Sequence, residues 1–465
     1  MKNIAAYISI LFLASCMFFS CKDDNFSTNT AHKLAFSTDT LSFDTVFTSV
    51  GSATKVLMVY NRNDKPLEIS QIKLAGGENS PFRINVDGFA NTQWNGVVIR
   101  AKDSMYVFVE VTVNPKAENL PFLVEDSLIF VTNSNIQQVK LLAYGQEAIV
   151  FRNKTIANDT TLLGEKPYLI YGDLTVNNLT IEKGCKLHFH SKANLIVTGN
   201  LTINGTPDSI VVFRGDRLDN LSTKYKYDDL PAQWGGIVLK NENTEHHINF
   251  ANIRNGKNAL KIEKAKLTIE NSIIQNFDSC AINAKQAEIF VGNSLITKCR
   301  VHSFNIFGGK IRVAQSTIGG YYFNPSASAS HQTATLKLSN FAGETDEFPL
   351  EQAEFTNTII YGSYQDEVLL DKKENGQAAF EYSFNYCLLK TKEKSEDTHF
   401  QNIIWDKNPE FVNLEYGKLP YNFELQENSP ARDAAVSTDY PLDLNGNPRN
   451  DGKPDLGAYE FTIKE

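Results

Sequence analysis

The sequence lacks the basic excess and the cysteine motifs that mark several classes of protein. It has 465 residues, with 45 Lys and Arg against 54 Asp and Glu, so the formal net charge is -9. A nucleic-acid binder needs a basic face that replaces phosphate counterions, and we therefore predict no nucleic-acid partner. The six cysteines form no Cys-x-x-Cys pair and have no nearby ligand set. The sequence therefore indicates no metal site and no cofactor.

Methionine and tryptophan are also scarce, with four and three residues, whereas Phe and Tyr reach 30 and 18. With 42% hydrophobic and 21% charged residues, the composition is that of a globular protein and excludes disordered and multi-span membrane chains. Aromatic and β-branched residues favour strands, and Asn, Gly and Ser favour the turns between strands. The composition predicts an all-β fold.

Residues 1–20 predict a signal peptide, because an apolar run of about sixteen residues is short for a membrane span and typical of a signal sequence. Cys21 follows this run and precedes Lys-Asp-Asp. The segment resembles the lipoprotein signals of Bacteroidetes-type bacteria. The resemblance implies that Cys21 is lipidated, that the lipid anchors the chain to a membrane, and that the protein is an outer-membrane lipoprotein exposed on the cell surface. Lipidation at Cys16, an uncleaved anchor and a plain secretory signal remain alternatives.

Residues 21–32 are polar and turn-rich, which predicts a tether, and residues 33–147 predict a β-sandwich of about seven short alternating strands. One face of a predicted strand carries Val107, Val109, Val111 and Val113. The pattern over residues 43–66 resembles the immunoglobulin-like spacer domains of bacterial surface proteins, although the sequence has no Cys…Trp…Cys core. We therefore expect an immunoglobulin-like first domain.

Residues 148–415 carry a repeat, which predicts a solenoid whose turns bury their apolar side chains only when they stack. Aligned isoleucines of the repeat lie 21, 22 and 22 residues apart, at Ile253, Ile274, Ile296 and Ile318. Short β-branched strands with Asn or Gly corners favour a right-handed parallel β-helix, in which corner asparagines hydrogen-bond along the stack and tolerate left-handed backbone. Residues 428–433 and 455–460 resemble the closing segment of bacterial β-helix proteins, so residues 416–465 are expected to close the helix.

One stretch of the β-helix region suggests a carbohydrate surface, because it combines both charges with aromatic residues. The candidate residues are Arg214, Asp216, Tyr225, Tyr227, Asp228 and Trp234. The alternative is a solvated loop, since no spacing fixes the carboxylates on one face. We expect these side chains to point separately into solvent. A groove in which Asp216 or Asp228 faces Arg214 or Lys226 would instead favour an enzyme.

The histidine pairs and the cysteines predict no site of their own. His188 and His190 share one face of a predicted strand, and His246 and His247 follow Glu245, but no third ligand completes a zinc site. We expect these histidines to be exposed polar residues. The sequence predicts that Cys185, Cys280, Cys299 and Cys387 are small buried apolar residues. Spacing leaves open whether Cys280 and Cys299 pair.

Six Asp-Ser/Thr sequences resemble the O-glycosylation sequon of Bacteroidetes envelope proteins. The candidate acceptors are Thr40, Thr45, Ser104, Ser127, Thr160 and Ser209. An Asp-Ser or Asp-Thr pair before a strand is also common turn chemistry. The resemblance therefore implies modification on the outer surface, and the alternative is a structural role in turns.

Two classes of function follow from the sequence. The first is a non-catalytic surface lipoprotein that presents a β-helix to a glycan or to another envelope or host partner. The second is a polysaccharide-active enzyme, a lyase or a glycoside hydrolase, with its site on one face of the β-helix. Only the fold analogy supports the second class, so the sequence favours the first.

Overall fold

A computed structural model describes residues 26–48, 50–114, 121–394, 396–449 and 452–463. The predicted signal peptide, Cys16 and Cys21 lie outside these residues. The chain divides into two compact units, Met1–Glu147 and Ala148–Glu465. Across the described residues the protein is all-β, with short 3₁₀ turns at Gly77–Asn79 and Tyr227–Asp229, and no helix there is long and apolar enough to span a membrane.

The first unit consists of two sheets around one apolar core. Its strands are β1 (Ala35–Phe36), β2 (Thr40–Phe47), β3 (Lys55–Tyr60), β4 (Leu67–Leu74), β5 (Phe82–Val86), β6 (Phe89–Asn91), β7 (Gln93–Trp94), β8 (Val97–Ile99), β9 (Ser104–Val111), β10 (Phe122–Thr132) and β11 (Asn135–Gln146). One sheet has the order β1-β3-β9-β5-β6, and the other has the order β2-β11-β10-β4-β7 with β8 also beside β4. Only β2 and β11 pair in parallel; the other described pairs in these sheets are antiparallel.

The alternation predicted for β9 is confirmed. Val107, Val109, Val111 and Val113 are buried and belong to the core that both sheets share. The polar segment before β1 is hydrogen-bonded to the first unit. The Ser27 amide donates to the Pro66 carbonyl, and the Asn133 side chain donates to the Asn29 carbonyl. The part of the predicted tether after residue 26 therefore packs on the first unit.

The second unit is one large parallel sheet wound into coils. Its strands are β12 (Ile149–Ile156), β13 (Thr160–Leu162), β14 (Tyr168–Val176), β15 (Leu179–Glu182), β16 (Lys186–Phe189), β17 (Asn194–Val197), β18 (Leu201–Asn204), β19 (Val211–Gly215), β20 (Gly236–Leu239), β21 (Glu245–Asn249), β22 (Ala251–Arg254), β23 (Leu260–Glu263), β24 (Lys266–Glu270), β25 (Ile273–Phe277), β26 (Ile282–Gly292), β27 (Leu295–Cys299), β28 (Phe304–Ala314), β29 (Thr317–Gly320), β30 (Leu336–Ser339), β31 (Phe341–Ala342), β32 (Asp346–Glu347), β33 (Leu350–Thr356), β34 (Ile359–Gly362), β35 (Val368–Asp371), β36 (Ser383–Leu389), β37 (Phe400–Trp405), β38 (Phe411–Asn413) and β39 (Asn422–Leu425). All of these strands except β31, β32, β38 and β39 belong to one 24-stranded sheet.

The coils form three stacks of parallel strands, so the unit has three outer faces. The first stack runs β16-β19-β22-β25-β27-β29-β34, the second runs β17-β20-β23-β26, and the third runs β18-β21-β24-β26. This architecture confirms the prediction of an all-β solenoid with a parallel sheet. The handedness of the coil and the immunoglobulin-like topology of the first unit stay predictions.

The isoleucine repeat is the inner column of the first stack. Backbone register aligns Ile253, Ile274, Ile296, Ile318 and Ile360, and each of these side chains is fully buried. The side chains one residue before these isoleucines point away from this inner core. Each coil therefore contributes one apolar side chain to a core that exists only because its neighbours stack on it.

Asparagines at one corner support the stack as predicted. The Asn271 amide donates to the Asn249 side-chain oxygen at 2.9 Å, and the Asn293 amide donates to Asn271 at 2.8 Å. Asn271 and Asn293 have left-handed backbone, with φ of 49° and 44°, which Asn adopts more readily than most residues. The prediction that corner asparagines with left-handed backbone hydrogen-bond along the stack is confirmed here, and we call these residues the asparagine column.

The C-terminal segment packs along the side of the first stack. Outward side chains Leu295, Ile359 and Leu388 form a second core with Phe423 and Leu456 of this segment. Arg449 and Glu460 form a buried ion pair, 2.8 Å apart, within this segment. Arg449 also donates a hydrogen bond to Asn293 of the asparagine column, which holds the segment against the coils. The segment predicted to close the β-helix thus covers one lateral face.

The predicted burial of the four cysteines is confirmed. Each of the four is buried and free of disulfide bonds. Burial raises the pKa of the Cys387 thiol to about 12, so the thiol stays protonated and unreactive at neutral pH. In this structure Cys280 and Cys299 do not pair.

Candidate functional site

Residues 216–235 form an excursion on the outer surface between β19 and β20. The Asn255 amide donates to the Asp228 and Leu230 carbonyls at 2.6 and 3.0 Å, and the Asn276 amide donates to the Asp229 carbonyl at 3.1 Å. Both asparagines occupy left-handed corner positions of consecutive coils. The corner therefore fixes the 3₁₀ turn of the excursion against the first stack.

Asp228 lies between two arginines of neighbouring coils. Its carboxylate is 3.2 Å from Arg214 and accepts two hydrogen bonds from Arg254, at 3.0 and 3.2 Å. Burial alone would raise the pKa of Asp228, but the hydrogen bond and charge of Arg254, aided by Arg214, hold the pKa below its usual value. The expectation that the charged side chains point separately into solvent is therefore wrong for Arg214 and Asp228.

Asp216 belongs to a second group on the same face, which we call the ladder: Arg152, Tyr171, His190 and Asp216. The Arg152 guanidinium lies 4.4 Å from the centre of the Tyr171 ring, and the Tyr171 and His190 ring centres are 4.6 Å apart. His190 Nδ1 is 2.7 Å from Asp216 Oδ2. Arg152 and Tyr171 are paired across the parallel strands, and backbone hydrogen bonds continue this order to His190 and Asp216. The side chains therefore stack because their coils do.

The ladder is open to solvent at His190 and closed at Asp216, with side-chain exposures of 52% and 15%. An ionised Asp216 accepts the Nδ1 proton of His190, which leaves Nε2 as the basic nitrogen. Burial and the Asp216 charge raise the pKa of Tyr171 against the opposing charge of Arg152, so the hydroxyl keeps its proton at neutral pH. The ladder thus presents an acceptor, a proton donor and an exposed cation side by side.

The aromatic candidates have separate environments. The Tyr225 hydroxyl donates to the Gly417 carbonyl at 3.0 Å, and the Tyr227 ring lies 3.8 Å from the Arg217 guanidinium. Trp234 is wrongly predicted as a surface residue, because it is 1% exposed. Its ring stacks on Phe189 at 4.2 Å, and its indole nitrogen donates to the Arg254 carbonyl. Trp234 begins the next coil and belongs to the core.

The prediction that all four paired histidines are exposed is wrong for two of them. His188 and His246 are buried, whereas His190 and His247 are exposed. Burial, together with the Arg214 charge, lowers the pKa of His188 to about 3, so this imidazole is neutral in the folded protein. In the described part of the chain, no group of three or more His, Cys, Asp or Glu side chains could hold a metal ion.

Comparison with known proteins places the chain in no family. No family model and no curated protein matches it. Among solved structures it is similar to the pectate lyase Pel9A, with 12% identity, 68% of this chain and 88% of that chain covered, and a TM-score of 0.30. It is also similar to a family 123 glycoside hydrolase from Clostridium perfringens that hydrolyses glycolipid glycans, with 8% identity, a quarter of each chain covered, and a TM-score of 0.19. At these TM-scores the similarities support no conclusion about function.

Three members of these two groups were not predicted from the sequence, namely Arg152, Tyr171 and Arg254. Arg152 and Tyr171 precede the regular isoleucine series that begins at Ile253, and they lie in coils of irregular length. His190 was noted only as half of a histidine pair, although its functional neighbour Asp216 lies 26 residues away. An alignment of coil positions would have brought these residues together.

Proposed function

We propose that this protein is a polysaccharide-active enzyme whose active site is the ladder, and that it cleaves an acidic polysaccharide by β-elimination. The observation that carries the proposal is the hydrogen bond between His190 Nδ1 and Asp216 on an exposed surface. A carboxylate that fixes the tautomer and orientation of an accessible histidine creates a general base. Among the described residues nothing donates to His190 Nε2, so this atom is available to a substrate.

The remaining ladder residues supply the other requirements of the reaction. His190 Nε2 takes the proton from the carbon beside the uronate carboxylate, and the electron pair of that C–H bond becomes the new double bond. The bond to the leaving glycosidic oxygen breaks, and Tyr171 donates its hydroxyl proton to that oxygen. Arg152 pairs with the uronate carboxylate and stabilises the negative charge that develops next to it.

Elimination fits the ladder better than hydrolysis does. A glycoside hydrolase of the common kind needs two carboxyl groups, about 5 to 9.5 Å apart, on opposite sides of the scissile bond. Asp216 is the one carboxylate of the ladder, and it is already hydrogen-bonded to His190. An open face that spans several coils also suits a polymer more than a small substrate.

Turnover on a panel of uronic-acid polysaccharides tests the proposal, with the unsaturated product followed by its ultraviolet absorbance. We expect one panel member to be cleaved and His190→Ala to lower the rate by roughly 10²- to 10⁴-fold. His247→Ala is the matched control, because His247 is exposed on the third stack. No cleavage of any uronate polymer, or equal rates for both variants, would refute the assignment.

A non-catalytic glycan-binding role is the second candidate, and an exposed aromatic favours it. The Tyr416 ring, 63% exposed, lies 4.9 Å edge-on from Phe323, and Phe323 in turn contacts Tyr225 at 5.5 Å. Exposed rings on a rigid support are suited to stacking on sugars. Saturable binding of a glycan that Tyr416→Ala weakens, without any product from the same polymer, would select this role.

We further propose the location that the signal sequence implies. Cys21 carries the lipid, the chain is an outer-membrane lipoprotein on the cell surface, and residues 33–147 act as an immunoglobulin-like spacer. The support is the sequence resemblance, together with the two-sheet architecture of the first unit. Incorporation of labelled palmitate into the native chain but not into Cys21→Ser, with Cys16→Ser as the control, tests the anchor.

The O-glycosylation sites also remain a proposal. The six candidate acceptors are all half-buried in the folded chain. Intact-mass measurement of the native mature protein tests the modification. A mass equal to that of the lipidated polypeptide would exclude it.

A further inference from the structure

The second unit has a cavity of about 410 Å³ between the first stack and the C-terminal segment. Its volume is in the range of small-molecule sites. Residues 250–252 and Ile273 of the coils form one wall, and residues 439–446 form the other. Ile210 and Leu442 line the cavity and are nevertheless 41% and 48% exposed. The cavity is therefore open to a ligand from solvent.

The wall that the C-terminal segment supplies is fixed against the coils. The Tyr440 hydroxyl donates to Glu270 Oε1 at 2.7 Å, and it approaches Gly292 so closely that a larger residue would not fit there. The Asp443 carboxylate accepts the Asn447 backbone amide at 2.7 Å, which closes the turn behind the wall. The cavity is thus already formed before a ligand binds, and a preformed site lowers the entropic cost of binding.

Phe250 lines this cavity from an unusual backbone conformation. The strand register places it at the corner position that Asn271 and Asn293 fill in the next two coils, and its φ is 49°. Asparagine tolerates this conformation, whereas a bulky residue rarely adopts it. Strained residues of this kind cluster at ligand sites. The corner therefore retains a phenylalanine at the one coil where the cavity needs apolar surface.

The Asn252 side chain is an uncommitted polar group of the cavity wall. It lies one residue before Ile253 and points away from the inner core. Among the described residues, none donates a hydrogen bond to its buried Oδ1 and none accepts one from its Nδ2. An amide left unpaired in a partly buried position is costly. Pairing with a polar group of a ligand would offset that cost.

The charge of the lining excludes an anionic ligand. Among the described residues that line the cavity none is Lys or Arg, whereas Asp439 carries an exposed carboxylate. A uronate in the cavity would therefore face a like charge without a compensating cation. Ile210, Ile273 and Leu442 add apolar surface. The lining fits a neutral ligand that combines an amide, hydroxyl groups and a small apolar group.

We propose that this cavity is a binding site for a neutral acetamido sugar, an N-acetylhexosamine residue of a glycan. The acetamide carbonyl accepts a hydrogen bond from the Asn252 amide, and the acetamide methyl group packs on Leu442. A ring hydroxyl donates to the Asp439 carboxylate. The C–H groups of the sugar ring pack on the apolar surface that Phe250 supplies.

The cavity is separate from the ladder. Ile210 immediately precedes β19 and Asp216 immediately follows it, so the two sites lie at opposite ends of one strand, roughly 20 Å apart. Binding in the cavity requires no chemistry from the ladder. The proposal therefore stands if no uronate polymer is cleaved, and it fails independently of the proposed elimination.

A titration of the folded full-length chain, followed by saturation-transfer NMR of the ligand, tests the proposal. The probes are the methyl glycosides of N-acetylglucosamine, N-acetylgalactosamine, glucose and glucuronic acid. We expect one acetamido glycoside to bind with a millimolar Kd, with the strongest saturation at its acetyl methyl group. The glucoside should bind about tenfold more weakly, and the glucuronide should not bind. Equal affinity for the glucoside would overturn the proposal. So would binding of octyl glucoside but of neither acetamido glycoside, because the cavity would then take an aliphatic chain.

Substitutions locate the bound sugar. Asn252→Ala should lower the affinity about tenfold because it removes the amide, and Leu442→Ala should weaken the methyl contact. Leu369→Ala is the matched control, since Leu369 is a 39% exposed leucine on β35, and His190→Ala should also leave binding unchanged. Unaltered affinity in both cavity variants would place the sugar elsewhere and overturn the proposal. If Asn252→Ala does not fold, Leu442→Ala decides, because it alters an exposed side chain.

Discussion

On the second unit, two clusters each combine a tyrosine, a histidine and an aspartate. The ladder takes Tyr171, His190 and Asp216 from three stacked coils. The other cluster, which we call the turn cluster, consists of Tyr382, Asp397 and His399. There the His399 backbone and ring both hydrogen-bond Asp397 within one local turn, the Tyr382 hydroxyl donates to the same carboxylate at 2.8 Å, and the two rings stack at 4.5 Å.

The same three residue types therefore leave different polar atoms available to a substrate in the two clusters. In the turn cluster the Asp397 carboxylate accepts hydrogen bonds from the Tyr382 hydroxyl and from the backbone and ring of His399, so the tyrosine proton is used within the cluster. In the ladder Asp216 orients His190 alone, and among the described residues the Tyr171 hydroxyl has no hydrogen-bond partner. A functional site needs polar atoms that the fold positions but does not consume. Among the described residues the ladder leaves two such atoms open, His190 Nε2 and the Tyr171 hydroxyl, whereas the turn cluster leaves His399 Nε2.

The largest difference is expected when each aspartate becomes an amide. Asp216→Asn presents His190 with a neutral partner that no longer fixes the Nδ1–H tautomer, so turnover should fall roughly 10²- to 10⁴-fold. Asp397→Asn should leave turnover unchanged. The initial rate of unsaturated-uronate formation measures both. Equal losses in the two variants would remove the distinction between the clusters.

The sequence predicted the regular part of the solenoid because that part obeys a period. Ile253, Ile274 and Ile296 fill equivalent inward positions, and burial of one apolar side chain per coil is a local rule that repetition makes visible. The asparagine corners were predictable for the same reason, because each corner repeats the left-handed backbone conformation that Asn adopts readily. Periodicity thus yielded the fold class, the core and the corner chemistry.

The candidate site depends on departures from that period. Asp216 reaches His190 across coils of unequal length, so no fixed spacing connects them. The residues around Trp234 have the composition of a surface loop, but its side chain, two residues before β20, is buried in the core. Insertions of unequal length bring these partners together. Which residues of neighbouring coils then lie side by side can be seen only in the folded stack.

The second largest effect concerns a buried and an exposed histidine near the two clusters at low pH. Two residues before His190, burial and the Arg214 charge lower the pKa of His188 to about 3 from 6.5. Between these values the unfolded chain binds a proton that the folded chain does not, so stability falls as the pH falls through that window. His188→Gln should remove on the order of a few kcal/mol of this acid-induced loss. Urea unfolding at pH 4 and pH 7 measures it.

Exposed His399 is the control for this prediction. His399→Gln should remove less of the acid-induced loss of stability than His188→Gln does, since the His399 ring is 44% exposed and solvent screens its charge. If His188→Gln leaves the acid sensitivity of the chain unchanged, the His188 imidazole is not buried as the structure places it.

A smaller effect should separate the two tyrosines. Tyr382→Phe removes a hydrogen bond to Asp397 and should lower the free energy of unfolding by about 1 kcal/mol. Tyr171→Phe removes a hydroxyl with no partner in the described chain, so stability should change by less than about 0.5 kcal/mol, while turnover falls. Urea unfolding and the elimination assay on the same two variants distinguish the roles. A stability loss for Tyr171→Phe equal to that for Tyr382→Phe would contradict the contrast.

The smallest expected effect lies at alkaline pH. Burial, with the hydrogen bond and charge of Asp397, raises the pKa of Tyr382 to about 12 from 10. The unfolded chain therefore loses this proton first, and the stability that the protonated tyrosine contributes is complete below pH 10 and disappears as the pH rises toward 12. Tyr382→Phe should flatten the fall in stability between pH 9 and pH 11. Asp397→Asn should give an intermediate slope, because the burial remains after the charge has gone. Identical slopes in all three chains would mean that the hydroxyl of the turn cluster titrates as it does in water, and that the turn cluster does not hold its proton as the comparison with the ladder requires.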